Sequence, residues 1–260
     1  MLILKNAVVA AAYVTFIRHS ARVTGKLLTF LLRVAAVMLS YAYLFGAVDK
    51  LQMILHSGWM DGGVVALEQS VFGFQPTLWI QRFVRPWLTE WMMFCYVIYG
   101  PLYPVLCGVA YYRHGDLAVE DYLFTLGFTN LLCDIGFILF PVASPMYWIR
   151  DQFTVPLDGC VWTYLGELLR HHLHFAGGSV PSPHAAAASV MWAMAYRYHR
   201  PSFWLLSPVV ISLYISTFYC RYHYLTDAVL GVATAFVALA LSPVLMRGWD
   251  RFVESRKTAA

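Results

Sequence analysis

Apolar residues in this chain gather into long blocks, each closed by a short polar stretch. The blocks cover residues 27–48, 86–111, 122–142, 184–198, 202–219 and 222–246. A bilayer core about 30 Å thick is crossed by roughly 20 apolar residues in a helix. Helices also satisfy their own backbone polar groups, which lipid cannot do. The pattern therefore predicts an all-α, polytopic membrane protein with six transmembrane helices. Arg33 lies near the basic end of the first block, where its stem can snorkel to the interface. Gly100-Pro101 predicts a kink in the second block. In the last, Gly231 and Ala235 have the spacing of a close helix contact.

The stretches between the blocks differ in character. Residues 1–26 hold an apolar piece, 7–17, too short to span and flanked by Lys5, Arg18, Arg22 and Lys26. Without a convincing signal-peptide cleavage site, this predicts an N-terminal interfacial helix. The catalytic membrane domain then occupies 27–246, and 247–260 form a cytoplasmic tail. Residues 49–86 read as an outer loop with an interfacial helix. Residues 143–183 read as a long connecting loop, and loops of that length are usually functional.

Composition supports the membrane assignment. The chain is 60% hydrophobic and 12% charged, with mean hydropathy +0.61. Soluble domains average about 45–50% apolar and about 25% charged. The net charge of +4 is modest, and the basic residues sit beside apolar blocks, which argues against nucleic acid as a partner. Six spans place Lys5, Arg18, Arg22, Lys26, Arg113, Arg197, Arg200, Arg247, Arg251, Arg256 and Lys257 on one side. The other side holds Lys50, Arg82, Arg85, Arg150, Arg170 and Arg221. The richer side is expected to be cytoplasmic. The expected location is the bacterial inner membrane, with the long connection and His223 on the periplasmic, extracytoplasmic face. The five cysteines have no CxxC spacing, and a Cys160–Cys220 disulfide stays open.

Two polar stretches fall on that outer side. In Arg221-Tyr222-His223-Tyr224-Leu225-Thr226-Asp227, three ionisable groups crowd a membrane boundary, where such residues are functional candidates. If the stretch is helical, His223 and Asp227 share one face. The carboxylate would then accept a hydrogen bond from Nδ1–H and leave Nε2 free as a base or nucleophile. In Pro181-Ser182-Pro183-His184, Ser182 reads as an N-cap and Pro183 as the first helical residue. His184 would stand in the first turn, where N–H groups and the helix dipole favour phosphate. Glu90 and Asp134 are intramembrane acids that could line a cavity, pair with Arg85 or Arg221, or serve structure alone. His171, His172 and His174 cluster, but a metal site needs three or four convergent ligands, so they read as part of an interfacial loop.

Pro181-Ser182-Pro183-His184 and the His223/Asp227 pair resemble the second (PSxH) and third (HxxxD) motifs of the type-2 phosphatidic acid phosphatase superfamily. Residues 216–227, Leu88-Thr89-Glu90 and 140–145 are similar to its inositol phosphorylceramide synthase-like branch, and the resemblance covers roughly 85–235. It implies a six-helix bundle, His223 as a nucleophile forming a phosphohistidine, Asp227 orienting it, and His184 as acid then base. Ser182, Arg221 and Arg150 are the expected phosphate ligands. No metal or organic cofactor is required by this chemistry. Two positions depart from the family pattern: Leu78 stands where the first motif has a lysine, and Thr217 where the third has an arginine. A reduced cation set suits a phosphodiester, with one charge, better than a monoester. The expectation is a phosphotransferase moving a lipid-linked phosphate group, with an alcohol as acceptor. A lipid-phosphate phosphatase using water is the first alternative, and a non-enzymatic lipid transporter the second.

Overall fold

The computed structural model describes residues 2–20, 25–173 and 175–258. The described residues contain helices and turns and no strand. In chain order the helices are α1 (Leu2–Ser20), α2 (Lys26–Leu51), α3 (Asp61–Phe72), α4 (Pro76–Trp79), α5 (Pro86–Val97) and α6 (Tyr99–His114). They continue as α7 (Asp116–Leu139), α8 (Pro145–Trp148), α9 (Val161–Leu173), α10 (Pro183–Tyr198), α11 (Arg200–Tyr219) and α12 (Leu225–Thr258). Two compact units divide the chain, Met1–Leu44 and Phe45–Ala260. In the first, Tyr43 donates a short hydrogen bond to Asn6. The second carries His184, His223 and Asp227.

Among the described residues, four helices are long and apolar enough to cross a membrane, and the bent pair α5–α6, taken as one span, makes five. This is an integral membrane protein. The block at 184–198 becomes a helix of 16 residues, short for a span on its own, so six spans are not established by length and composition. The 49° bend between α5 and α6 has a local cause. Pro101 lacks an N–H, and its ring crowds the carbonyl of Val97, four residues back, where α5 ends.

Helix α10 lies at the centre of the second unit and packs against α6, α7, α11 and α12. Ala185, Ala186, Ala187 and Ala188 are buried on it, and their small side chains let neighbours approach closely. Gly231 of α12 comes close to the start of α10: a Cβ there would lie 2.4 Å from the Ser182 carbonyl. At the far end of α10, roughly 24 Å away by helical rise, Arg197 bonds Asp121 at 2.6 Å and His114 meets the Tyr198 carbonyl at 2.8 Å.

Several expectations change. The 143–183 connection is not a loop throughout; it contains α8, a 3-10 turn (Arg150–Gln152) and the 13-residue α9. Helix α7 begins at Asp116, so Asp116, Glu120 and Asp121 occupy its first turns. The short N-terminal piece belongs to a 19-residue helix, α1, whereas Arg22 lies outside the described residues. Cys160 and Cys220 are both free, one exposed and one buried.

Candidate active site

His223 does not share a helical face with Asp227. It sits in a turn ahead of α12, which begins at Leu225. The contact forms because Asp227 is the third helical residue and its side chain folds back over the start of the helix. Its Oδ2 accepts the Tyr224 N–H at 2.9 Å, one half of a capping box. The same oxygen lies 3.5 Å from His223 Nδ1. The turn is held at its other edge by the His223 N–H, which donates to the Thr217 carbonyl at 3.0 Å.

A third residue, absent from the sequence reading, completes this arrangement. Ser179 donates its hydroxyl to Asp227 Oδ2 at 2.6 Å. Its Oγ and its carbonyl each lie 3.2 Å from His223 Nδ1. Acceptors surround Nδ1, an arrangement that favours the tautomer with the hydrogen on that nitrogen. Asp227 is fully buried, and its Oδ1 has no hydrogen-bond partner among the described residues. Ser179 and the Tyr224 N–H thus hold the other oxygen, Oδ2, behind the imidazole. No local pattern marks Ser179, because it reaches the pair from 44 residues away.

His184 enters from α10. Ser182 is the N-cap, accepting the Ala185 N–H at 3.3 Å, and Pro183 is the first helical residue. The Ser182 N–H in turn donates to the Asp227 carbonyl at 2.9 Å, which joins the starts of α10 and α12. The His184 ring stacks on Tyr96 at 4.2 Å, lies 4.6 Å from the Tyr99 ring, and stands 5.6 Å from the His223 ring. Tyr96 Oη is 3.3 Å from His184 Nδ1.

Both histidines line one cavity of about 490 Å³. Its walls are largely apolar and aromatic, with Phe45, Tyr96, Tyr99, Leu169 and Tyr222 among them. Arg170 of α9 is the one lysine or arginine among the described lining residues. It makes an ion pair with Glu167 at 2.5 Å, and that hydrogen bond, against the cost of burial, holds its pKa above the usual value.

The residues expected to bind phosphate are placed differently. Ser182 is fully buried and committed to its cap. Arg221 packs over the Phe153 ring at 4.3 Å and donates to the Val155 carbonyl, with its pKa pushed down by burial. Arg150 is exposed on its 3-10 turn and does not line the cavity. Glu90 accepts N–H bonds from Cys160, Trp162 at 2.9 Å and Thr163 at 3.1 Å, so it anchors the start of α9. His171 and His172 are exposed near the end of α9, and His174 lies outside the described residues. No three His, Cys, Asp or Glu side chains converge on a metal position among the described residues.

A buried histidine beside a carboxylate thus faces a second histidine across a largely apolar cavity in a helical membrane protein. The comparison with known families places the chain. A family described as the PAP2 superfamily matches residues 63–241, well over half of the chain, and the protein belongs to that superfamily. Its members are typically phosphatases or phosphotransferases. No curated protein and no solved structure matches the chain.

Proposed function

We propose that this protein is a phosphotransferase that acts on a lipid phosphodiester through a phosphohistidine on His223. The observation that carries the reading is the cavity: two histidines share it with Arg170, the one lysine or arginine among its described lining residues, and Arg170 is paired with Glu167. A monoester dianion in so apolar a space would be undercompensated, because burying charge without partners is costly. A diester monoanion needs less compensation. This supports transfer over hydrolysis, and the aromatic walls favour an acceptor that excludes water.

The proposed steps use this chain's own groups. Nε2 of His223 attacks phosphorus while the bond from phosphorus to the leaving oxygen breaks. His184, protonated, gives its proton to that oxygen. Asp227 and Ser179 hold the Nδ1 proton and offset the positive charge that develops on the imidazole. An acceptor hydroxyl then loses its proton to His184, bonds to phosphorus and releases His223. Arg170 and the N-terminus of α10 would hold the phosphate oxygens. The six apolar blocks, with α10 as a short central span, and the charge asymmetry support both histidines at the extracytoplasmic face of a bacterial inner membrane.

The test is to incubate the purified protein, in nanodiscs, with a labelled panel of lipid phosphomonoesters and phosphodiesters plus an alcohol acceptor. Lipid and water-soluble products are both analysed. An exchanged lipid product formed faster than free phosphate is expected. Rapid release of inorganic phosphate from a monoester, undiverted by alcohol, would instead make it a phosphatase using the same residues. Transport without any chemical product would remove both readings.

A further inference from the structure

Two carboxylates lie behind the site, and the chemistry above uses neither. Asp61 and Glu68 stand seven residues apart, on one face of α3, and both are fully buried. The partners they hold are neutral donors. Taking a carboxylate out of water without a cation is costly, and burial raises the pKa of both. Their donors share one place in the fold. Glu68 Oε1 accepts the Thr226 N–H at 2.8 Å and the Thr226 hydroxyl at 3.0 Å. Asp61 Oδ1 accepts the Tyr224 hydroxyl at 2.9 Å and the Ser144 N–H at 3.1 Å, while Oδ2 accepts the Ala143 N–H at 2.7 Å. Tyr224 and Thr226 are the residues that interleave with His223 and Asp227 along the turn.

Backbone strain in the same region has the same anchor. Among the described residues, two non-glycine residues adopt positive φ, Ser144 at 97° and Arg221 at 69°. Such residues persist where the surroundings over-determine them. Asp61 holds the first directly. The second is tied to the same segment by the Met146 N–H, which donates to the Arg221 carbonyl at 3.1 Å.

We propose that α3 is the positioning element of the catalytic turn, with Asp61 and Glu68 clamping Tyr224 and Thr226 so that His223 is fixed against Asp227; this rests on the phosphoryl-transfer reading above. Neither carboxylate touches the cavity, so both are positioning residues. A misplacement of about 1 Å at a reacting group costs about 10²-fold.

The geometry separates the two sites. At Glu68, one amide oxygen can still accept both Thr226 donors. The new NH₂ can meet Gln75, whose Oε1 is buried without a partner, once that amide flips. At Asp61, three donors surround two oxygens, so an amide NH₂ must oppose a donor. The experiment uses full-length protein in nanodiscs with bis(p-nitrophenyl) phosphate as probe. Glu68→Ala and Asp61→Asn are expected to lose about 10–100-fold in kcat with KM within about twofold, and Glu68→Gln to stay within about threefold of the parent. Tyr224→Phe, which removes one donor and spares the backbone bonds, should fall in between and covers the case in which Asp61→Asn does not fold. Ring-15N histidine NMR, with His223 assigned through His223→Ala, should show a single Nδ1–H tautomer in the parent and in Glu68→Gln, and a mixture in Glu68→Ala. That readout needs no turnover. A parent inactive on every diester would therefore sink the transfer reading and leave the clamp to the spectrum. An unchanged tautomer and kcat in Glu68→Ala, or equal losses in Glu68→Ala and Glu68→Gln, would overturn the clamp.

Discussion

Ser179 Oγ lies 2.6 Å from Asp227 Oδ2, and this hydrogen bond decides which way the buried carboxylate faces. The oxygen it fixes is the one next to His223 Nδ1. Ser179→Ala should therefore lower kcat. Hydrogen bonds to charged groups contribute about 1.5–3 kcal/mol, which corresponds to roughly 10–100-fold. Single-turnover formation of the phosphoenzyme reads this directly, and an unchanged rate would show that the hydroxyl is incidental.

The two histidines should separate by substrate. His223→Ala is expected to abolish turnover together with any acid-labile phosphoenzyme. His184→Ala should lose about 10²–10⁴-fold, the usual range for general acid–base groups. The loss should shrink with a nitrophenyl leaving group, which needs little protonation. Equal loss on alkyl and nitrophenyl esters would remove His184 from the acid role.

The cations should rank by position. Arg170→Ala is expected to raise KM for a diester severalfold, because the cavity then has no lysine or arginine among its described lining residues. Arg150→Ala, on an exposed turn, should stay within about twofold, as surface changes usually do. Arg221→Ala should act through the turn it packs, lowering kcat and thermal stability together. A large effect at Arg150 with none at Arg170 would reverse the assignment.

Stability should depend on pH through α3. Burial holds the folded-state pKa of Asp61 and Glu68 above their ordinary values of 3.8 and 4.5. Between the ordinary and the raised value the folded protein binds more protons than the unfolded one, so stability falls as pH rises through that window. The slope should flatten in Glu68→Gln, which cannot ionise. Thermal melts of the purified protein from acid to neutral pH provide the measurement, and an identical slope in the variant would contradict it.

Topology can be read with a native probe. Cys160 is exposed just ahead of α9, the helix that brings Arg170 to the cavity, and the other four cysteines are buried. A membrane-impermeant maleimide should label it from outside intact cells. Cys160→Ser carrying Ser255→Cys should label only after permeabilisation. Labelling of both from one side would break the extracytoplasmic placement. Ser179 is unsuitable as a reporter because it is buried in the site.

The sequence by itself determined the membrane class and the apolar helices, and it singled out His184, His223 and Asp227 as candidates, which the fold brings to one place. Those features are written locally, in hydropathy blocks, in a Ser-Pro cap and in a four-residue spacing. Tertiary structure decided what surrounds them. Ser179 reaches His223 across 44 positions, Glu68 reaches Thr226 across 158, and Asp61 reaches Tyr224 across 163. No periodicity records such contacts, because each carboxylate is satisfied by donors that chain folding alone delivers. The cations show the same division. Arg221 is two residues from His223 in sequence but is turned toward Phe153 and Val155. Arg170 arrives at the cavity because Glu90 caps α9 and so fixes that helix over the site. Even the His223–Asp227 contact, anticipated from spacing, forms for a different reason: the aspartate caps the first turn of α12, and the histidine lies just outside the helix.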